Sequence, residues 1–216
     1  MSDARLSKGE ATRQRLLDAA QRAVLEKGFA ATSLDELIAE CGLTKGGFFY
    51  HFKDKTDLAK ALLRRYIDED EAVYDRIFGQ ARALVDDPLQ VFLLGLKLLA
   101  DVMGDMPSGH PGCLVAVSCY ADRMFDREMR EINTEAALQW RARFRAMLDE
   151  IATRYRPREP VDLDELADMV STLLEGGIVM AKALNDPVSL KRQILHDGGN
   201  RLALRAQRLE AAHQHI

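Results

Sequence analysis

Apolar residues recur at intervals of three and four along most of this chain, and nowhere do they alternate with polar ones as in a half-buried strand. The pattern predicts an all-α protein of about nine helices. A first helix spans Thr12 to Lys27, with Leu16, Leu17, Ala20 and Val24 on one face; Gly28 closes it and Phe29 packs back as an anchor. From Ser33, apolar Leu34, Leu37, Ile38 and Cys41 share a face, and Ser33 and Glu36 stand at capping-box spacing. Gly42 can take the left-handed conformation that ends this helix, Leu43 returns to the core, and Thr44 can cap the next helix almost at once. Helix, glycine turn and short helix make a helix-turn-helix, which the first helix braces into a three-helix unit with its last helix as the reader.

Downstream, one long pattern runs from Asp54 through Leu58, Leu62, Tyr66, Val73, Ile77, Phe78 and Leu84 to Asp86-Asp87-Pro88. It connects the first 55 residues, read as a DNA-binding domain, to residues 56–216, read as a helical ligand-binding and dimerisation domain. Helical spacing resumes from Leu89 to Met103 and breaks in the turn-rich stretch from Gly104 to Gly112. A short helix is expected from Cys113 to Phe125, and a long amphipathic one from Asp126 to Tyr155. Two more follow, Leu163 to Leu184 and Ser189 to about Leu209, with Gly177 and Gly198 placed to let helix backbones approach in a four-helix dimer interface.

The formal net charge of −4 does not by itself point to nucleic acid. Its distribution is uneven: residues 1–55 carry nine Lys or Arg against eight Asp or Glu, and the remainder 21 against 26. Within the N-terminal arm, Arg5 and Lys8 are candidates for phosphate or minor-groove contact. Three cysteines, odd in number and without short regular spacing, argue for a reducing compartment rather than a disulfide framework. The N-terminus has no signal-peptide apolar region, and the longest apolar run, Val91 to Ala100, is short and contains Lys97. A cytoplasmic protein with no membrane partner is expected.

The segment Gly42-Leu-Thr-Lys-Gly-Gly-Phe-Phe-Tyr-His-Phe-Lys-Asp-Lys-Thr-Asp-Leu58 resembles the signature of the TetR family of bacterial one-component repressors. Thr12, Arg13, Arg15 and Leu17 in the first helix, and the Gly28-Phe29 ending, match the same family. The resemblance covers about the first sixty residues by motif and the rest by architecture alone. It implies a homodimer that reads a palindromic double-stranded DNA operator, and a C-terminal helical domain that takes a small-molecule inducer. Carried over residue by residue, the DNA-facing positions are Thr44, Lys45, Gly46, Gly47, Phe49, Tyr50, His51 and Lys55. Lys45 can reach a base edge or phosphate, His51 and Lys55 a phosphate, and Tyr50 can donate its hydroxyl or pack on a thymine methyl. Phe49 stands where many relatives carry Tyr, which removes a phosphate hydrogen bond. Gly46 and Gly47 remove two side chains from the reading face, each at about 1 kcal/mol of helix propensity. Phe48 and Phe52 have the spacing of core residues.

For the second domain, Phe78, Phe92, Leu96, Met103, Trp140, Phe144, Met169 and Met180 are candidates to line an inducer cavity, suited to an uncharged or weakly polar organic molecule. Cys113, in His110-Pro-Gly-Cys-Leu-Val, also belongs to the ligand-responsive set. This segment resembles that of NemR-type electrophile sensors in the family. There, a thiol at a helix start, with His110 adding positive charge, would be modified and release DNA. Cys41 and Cys119 are expected to pack. No Cys-x-x-Cys pair, His-Glu-x-x-His helix, glycine-rich phosphate loop or nucleophile elbow is present, so no catalytic residue, metal or cofactor is assigned. A helical protein-interaction adaptor is the remaining rival.

Overall fold

A computed structural model of the chain describes residues 7–157 and 160–196. Among the described residues every regular element is a helix, in the order α1 (Lys8–Ala31), α2 (Leu34–Glu40), α3 (Lys45–Phe49), α4 (Lys55–Leu84), α5 (Pro88–Gly104), α6 (Leu114–Tyr120), a 3-10 turn (Asp122–Met124), α7 (Arg127–Arg154), α8 (Leu163–Leu184) and α9 (Pro187–Gln193). Their contacts divide into two compact units. Of the described residues, the first holds those up to Glu69 together with Cys113–Glu135; the second holds Asp70–Gly112 and those from Ala136 onward. The expected domain boundary at residue 55 coincides with the start of α4, whereas the units part within α4, between Glu69 and Asp70.

In the first unit α1 begins four residues earlier than Thr12, because a capping box forms at Ser7 and Glu10: Ser7 Oγ accepts from the Glu10 amide and the Glu10 carboxylate accepts from the Ser7 amide. The box expected at Ser33 and Glu36 is incomplete. Ser33 makes no side-chain cap, and the Glu36 carboxylate accepts from Lys27 at 2.5 Å. At φ 79° Gly28 leaves the helical conformation, and Phe29 turns inward, its ring edge-on to Phe125 at 4.9 Å. Leu16, Leu17, Leu37, Phe48, Phe52, Leu62 and Leu63 are fully or almost fully buried, so the three N-terminal helices and the start of α4 have a genuine core. Arg65, nearly buried, reaches Gln14, Asp18 and Gln21 on α1; Lys60 reaches Asp126 and Glu128 at the start of α7.

The second unit is built from the C-terminal part of α4, α5, most of α7, α8 and α9 around one buried cluster. Asp87 caps α5 and Asp162 caps α8, and Asn185 ends α8 in the left-handed region at φ 49°. Two glycines mark close approaches. A Cβ on Gly95 would fall 2.2 Å from the Phe78 ring, and one on Gly177 would fall 2.7 Å from Leu190 Cδ1. Gly177 therefore serves packing of α8 on α9 within the chain. Arg5, Gly198 and the expected course of the last helix to Leu209 lie outside the described residues.

Candidate nucleic-acid interface and ligand region

Turn geometry produces α3, the helix expected to read DNA. Gly42, at φ +64°, closes α2, and Thr44 Oγ1 accepts from the Gly47 amide at 3.1 Å to start α3. Phe48 and Phe52 anchor this segment inward, with the Arg13 guanidinium 5.0 Å from the Phe52 ring centroid. The same helix then turns Phe49 and Tyr50 outward; Tyr50 is 81% exposed and stands edge-on to His51 at 4.9 Å. Thr44, Lys45 and Gly46 are exposed as well, while Gly47 and His51 are half-buried. Lys45 lies 3.1 Å from Asp35 with both side chains largely exposed, a pairing that a phosphate can readily replace.

Lys55 is placed differently from the expectation. Its ammonium donates to the Phe29 carbonyl at 2.6 Å, satisfying the end of α1, and burial holds its pKa below the ordinary lysine range. Its phosphate contact would require that bond to give.

Of the expected cavity residues, Phe78, Phe92, Leu96, Met103 and Phe144 share one buried cluster. They fill one another's space. Phe78 lies 6.4 Å from both Phe92 and Phe144, centroid to centroid, and its ring leaves no room for a side chain at Gly95. Trp140 packs against the cluster with its indole N–H donated to Asp70 at 3.0 Å. Met169 and Met180 are exposed on α8, off the face that buries Val170, Leu174 and Ile178. Cys113 belongs to the other unit, where it is buried at the N-cap of α6.

Nor does His110 supply a positive charge. Burial, with the Lys182 ammonium nearby, pushes its pKa down to about 4, and its Nδ1 accepts from the Gly112 amide. Cys119, expected to pack, is the exposed thiol; Cys41 is half-buried and burial raises its pKa.

A feature the periodicity did not single out is an open cleft of about 550 Å³ between α4 and α7. Phe78, Gly79 and Met147 form part of its lining, and Glu71, Asp75 and Arg143 lie along it. The Arg143 guanidinium donates to Glu71 and, at 2.7 Å, pairs with Asp75. At the other end Arg82 makes two 2.9 Å bonds to Glu150. The packing of α4 on α7 brings these charges together.

Residues 16–62 match the family model described as bacterial regulatory proteins, tetR family. In this N-terminal segment the chain is similar to the TetR family. Over 57 residues it is 47% identical to the HTH-type transcriptional regulator AcrR of Shigella flexneri, a match covering 26% of each chain. The likeness thus spans about a quarter of that relative's length. Solved structures extend the likeness in fold across most of the chain. A TetR-family transcriptional regulator from Agrobacterium tumefaciens superposes with a TM-score of 0.75 at 17% identity, covering 90% of this chain and 98% of that one. Reduced NemR of E. coli gives 0.70 at 19%, covering 86% and 94%. No described helix is long and apolar enough to cross a membrane.

Proposed function

We propose that the chain is a homodimeric, cytoplasmic transcriptional regulator that represses from a palindromic operator and is released by a small organic inducer. The observation that carries this reading is α3 itself: buried Phe48 seats it, while Lys45, Phe49 and Tyr50 are directed outward within a unit that matches the TetR-family model. The dimer is supported by α8, whose exposed Met169 and Met180 flank Gly176, a glycine with nothing within 4 Å of its missing Cβ. Two-fold DNA requires a two-fold protein, and this apolar stripe offers itself to a copy of the same helix. Because α4 runs unbroken from Lys55 to Leu84, a ligand that displaces its C-terminal part moves the helix that starts beside α3.

The test is a gel-shift titration on a palindrome selected from random DNA. Lys45→Ala and Tyr50→Ala should each weaken binding by about 1 to 3 kcal/mol, with the dimer intact on a sizing column, and affinity should fall steeply with salt. Full affinity in both variants removes α3 as the reading helix; absence of any salt-dependent shift favours the adaptor.

A further inference from the structure

We propose that the cleft between α4 and α7 binds a small organic cation, an amidinium, guanidinium or ammonium carried on an apolar body. This names the ligand class for the small-molecule control proposed above and rests on that reading. The cleft volume of about 550 Å³ is that of a small-ligand site. Its apolar stretch, from Phe78 across Gly79 to Met147, suits an aryl or alkyl group. Gly79 contributes nothing to packing, since a Cβ there would meet no atom within 4 Å, yet a glycine in mid-helix is unfavourable. What it leaves is space.

Charge selects the sign of the ligand. Two carboxylates, Glu71 and Asp75, share a single guanidinium, that of Arg143, while Arg82 is already matched by Glu150. Glu71 lines the cleft, and its Oε1 is buried without a hydrogen-bond partner while Oε2 takes Arg143. The group is short of one donor and of positive charge. A ligand N–H cation supplies both; a carboxylate ligand would add to the excess, and a neutral amide would supply the donor alone. This choice departs from the uncharged or weakly polar inducer expected from the sequence.

Benzamidinium, benzamide and benzoate share one shape and differ in charge. Trp140, the sole tryptophan, bonds Asp70 and so reports on this region by fluorescence. Titration with benzamidinium should give a saturable change and raise the melting temperature, with benzamide and benzoate at least about tenfold weaker. Asp75→Asn, at an exposed side chain, and Glu71→Gln should each weaken benzamidinium about tenfold and leave benzamide unchanged. Equal binding of benzoate or benzamide, unaltered affinity in both variants, or no saturable response to any probe overturns the site. A chain that shifts operator DNA yet ignores benzamidinium refutes the cation cleft alone; one that binds benzamidinium but no DNA refutes the regulator reading alone.

Discussion

In the unit that carries the helix-turn-helix, α4 presents cations to acidic partners: Lys60 to Asp126 and Glu128, Arg64 to Glu128, Arg65 to Asp18. One turn past Arg65 the same helix enters the other unit, and there it presents carboxylates instead, Asp70 to the Trp140 indole and Glu71 and Asp75 to Arg143. The consequences for the carboxylates are opposite. Hydrogen bonds from Lys60 hold Asp126 and Glu128 below the ordinary range, so ionising them favours the folded state. Burial pushes Asp70 up to about 6, against the pull of the Trp140 bond, so ionising Asp70 opposes folding. The first unit is arranged for a defined shape, whereas the second keeps an unfavourable charge beside a cleft, as sites that bind something often do.

The largest effect expected from this contrast is at Gly95. In the second unit Gly95→Ala must displace the buried Phe78 ring, because the new Cβ would stand 2.2 Å from it. A loss of about 3 kcal/mol is expected, at the upper end for overpacking, read as a lowered denaturant midpoint. A loss below about 1 kcal/mol would mean that the cluster around Phe78 has slack, and would reopen it as an internal cavity.

Next in size is Asp70→Asn, which keeps an acceptor for Trp140 and removes the charge. The folded-state pKa, raised from 3.8 to about 6, means that the native state binds more protons than the unfolded one between those values. The wild type therefore loses this contribution as pH rises through that window. At pH 7.5 the variant should be more stable than wild type by about 2 kcal/mol, and the difference should shrink as pH falls through 6 and level off below about 4. The Lys60 network predicts the reverse slope: its contribution is present at neutral pH and is lost as acid protonates Asp126 and Glu128. A pH-independent difference for Asp70→Asn would break the contrast between the two units.

The units also differ in how far they can be read from sequence. Thr44, Gly42, Phe48 and Phe52 act through local turn geometry and short-range packing, so their spacing alone carries their roles. The bond from Lys55 to the Phe29 carbonyl, 26 residues away, is a contact no local pattern encodes. In the second unit the helix bounds of α8 were legible, but Met169 and Met180 were not separable from Leu174 and Ile178, since an apolar residue gives the same signal whether it faces a core, a cavity or another chain. The cleft escaped notice for the converse reason. Glu71, Asp75 and Arg143 look like solvent-facing charges until α4 and α7 are side by side.

The smallest effect bears on the glycines of α3, and it sharpens the contrast with Gly95. A Cβ at Gly46 would come no nearer than 3.9 Å to Thr44 Oγ1, and one at Gly47 no nearer than 3.5 Å, ordinary contact distances in a helix where neither residue has positive φ. Nothing in the fold of this unit asks for glycine at either position. Gly46→Ala and Gly47→Ala should therefore raise stability, each by up to about 1 kcal/mol, through helix propensity and reduced freedom of the unfolded chain. If the glycines serve close approach of DNA to the α3 backbone, the same substitutions should weaken operator binding although they remove no contacting side chain. Stability up and affinity down, measured on the same preparations, separates glycines kept for a partner from glycines kept for packing. Raised stability with unchanged affinity would refute the close approach and leave recognition to the side chains of Lys45 and Tyr50.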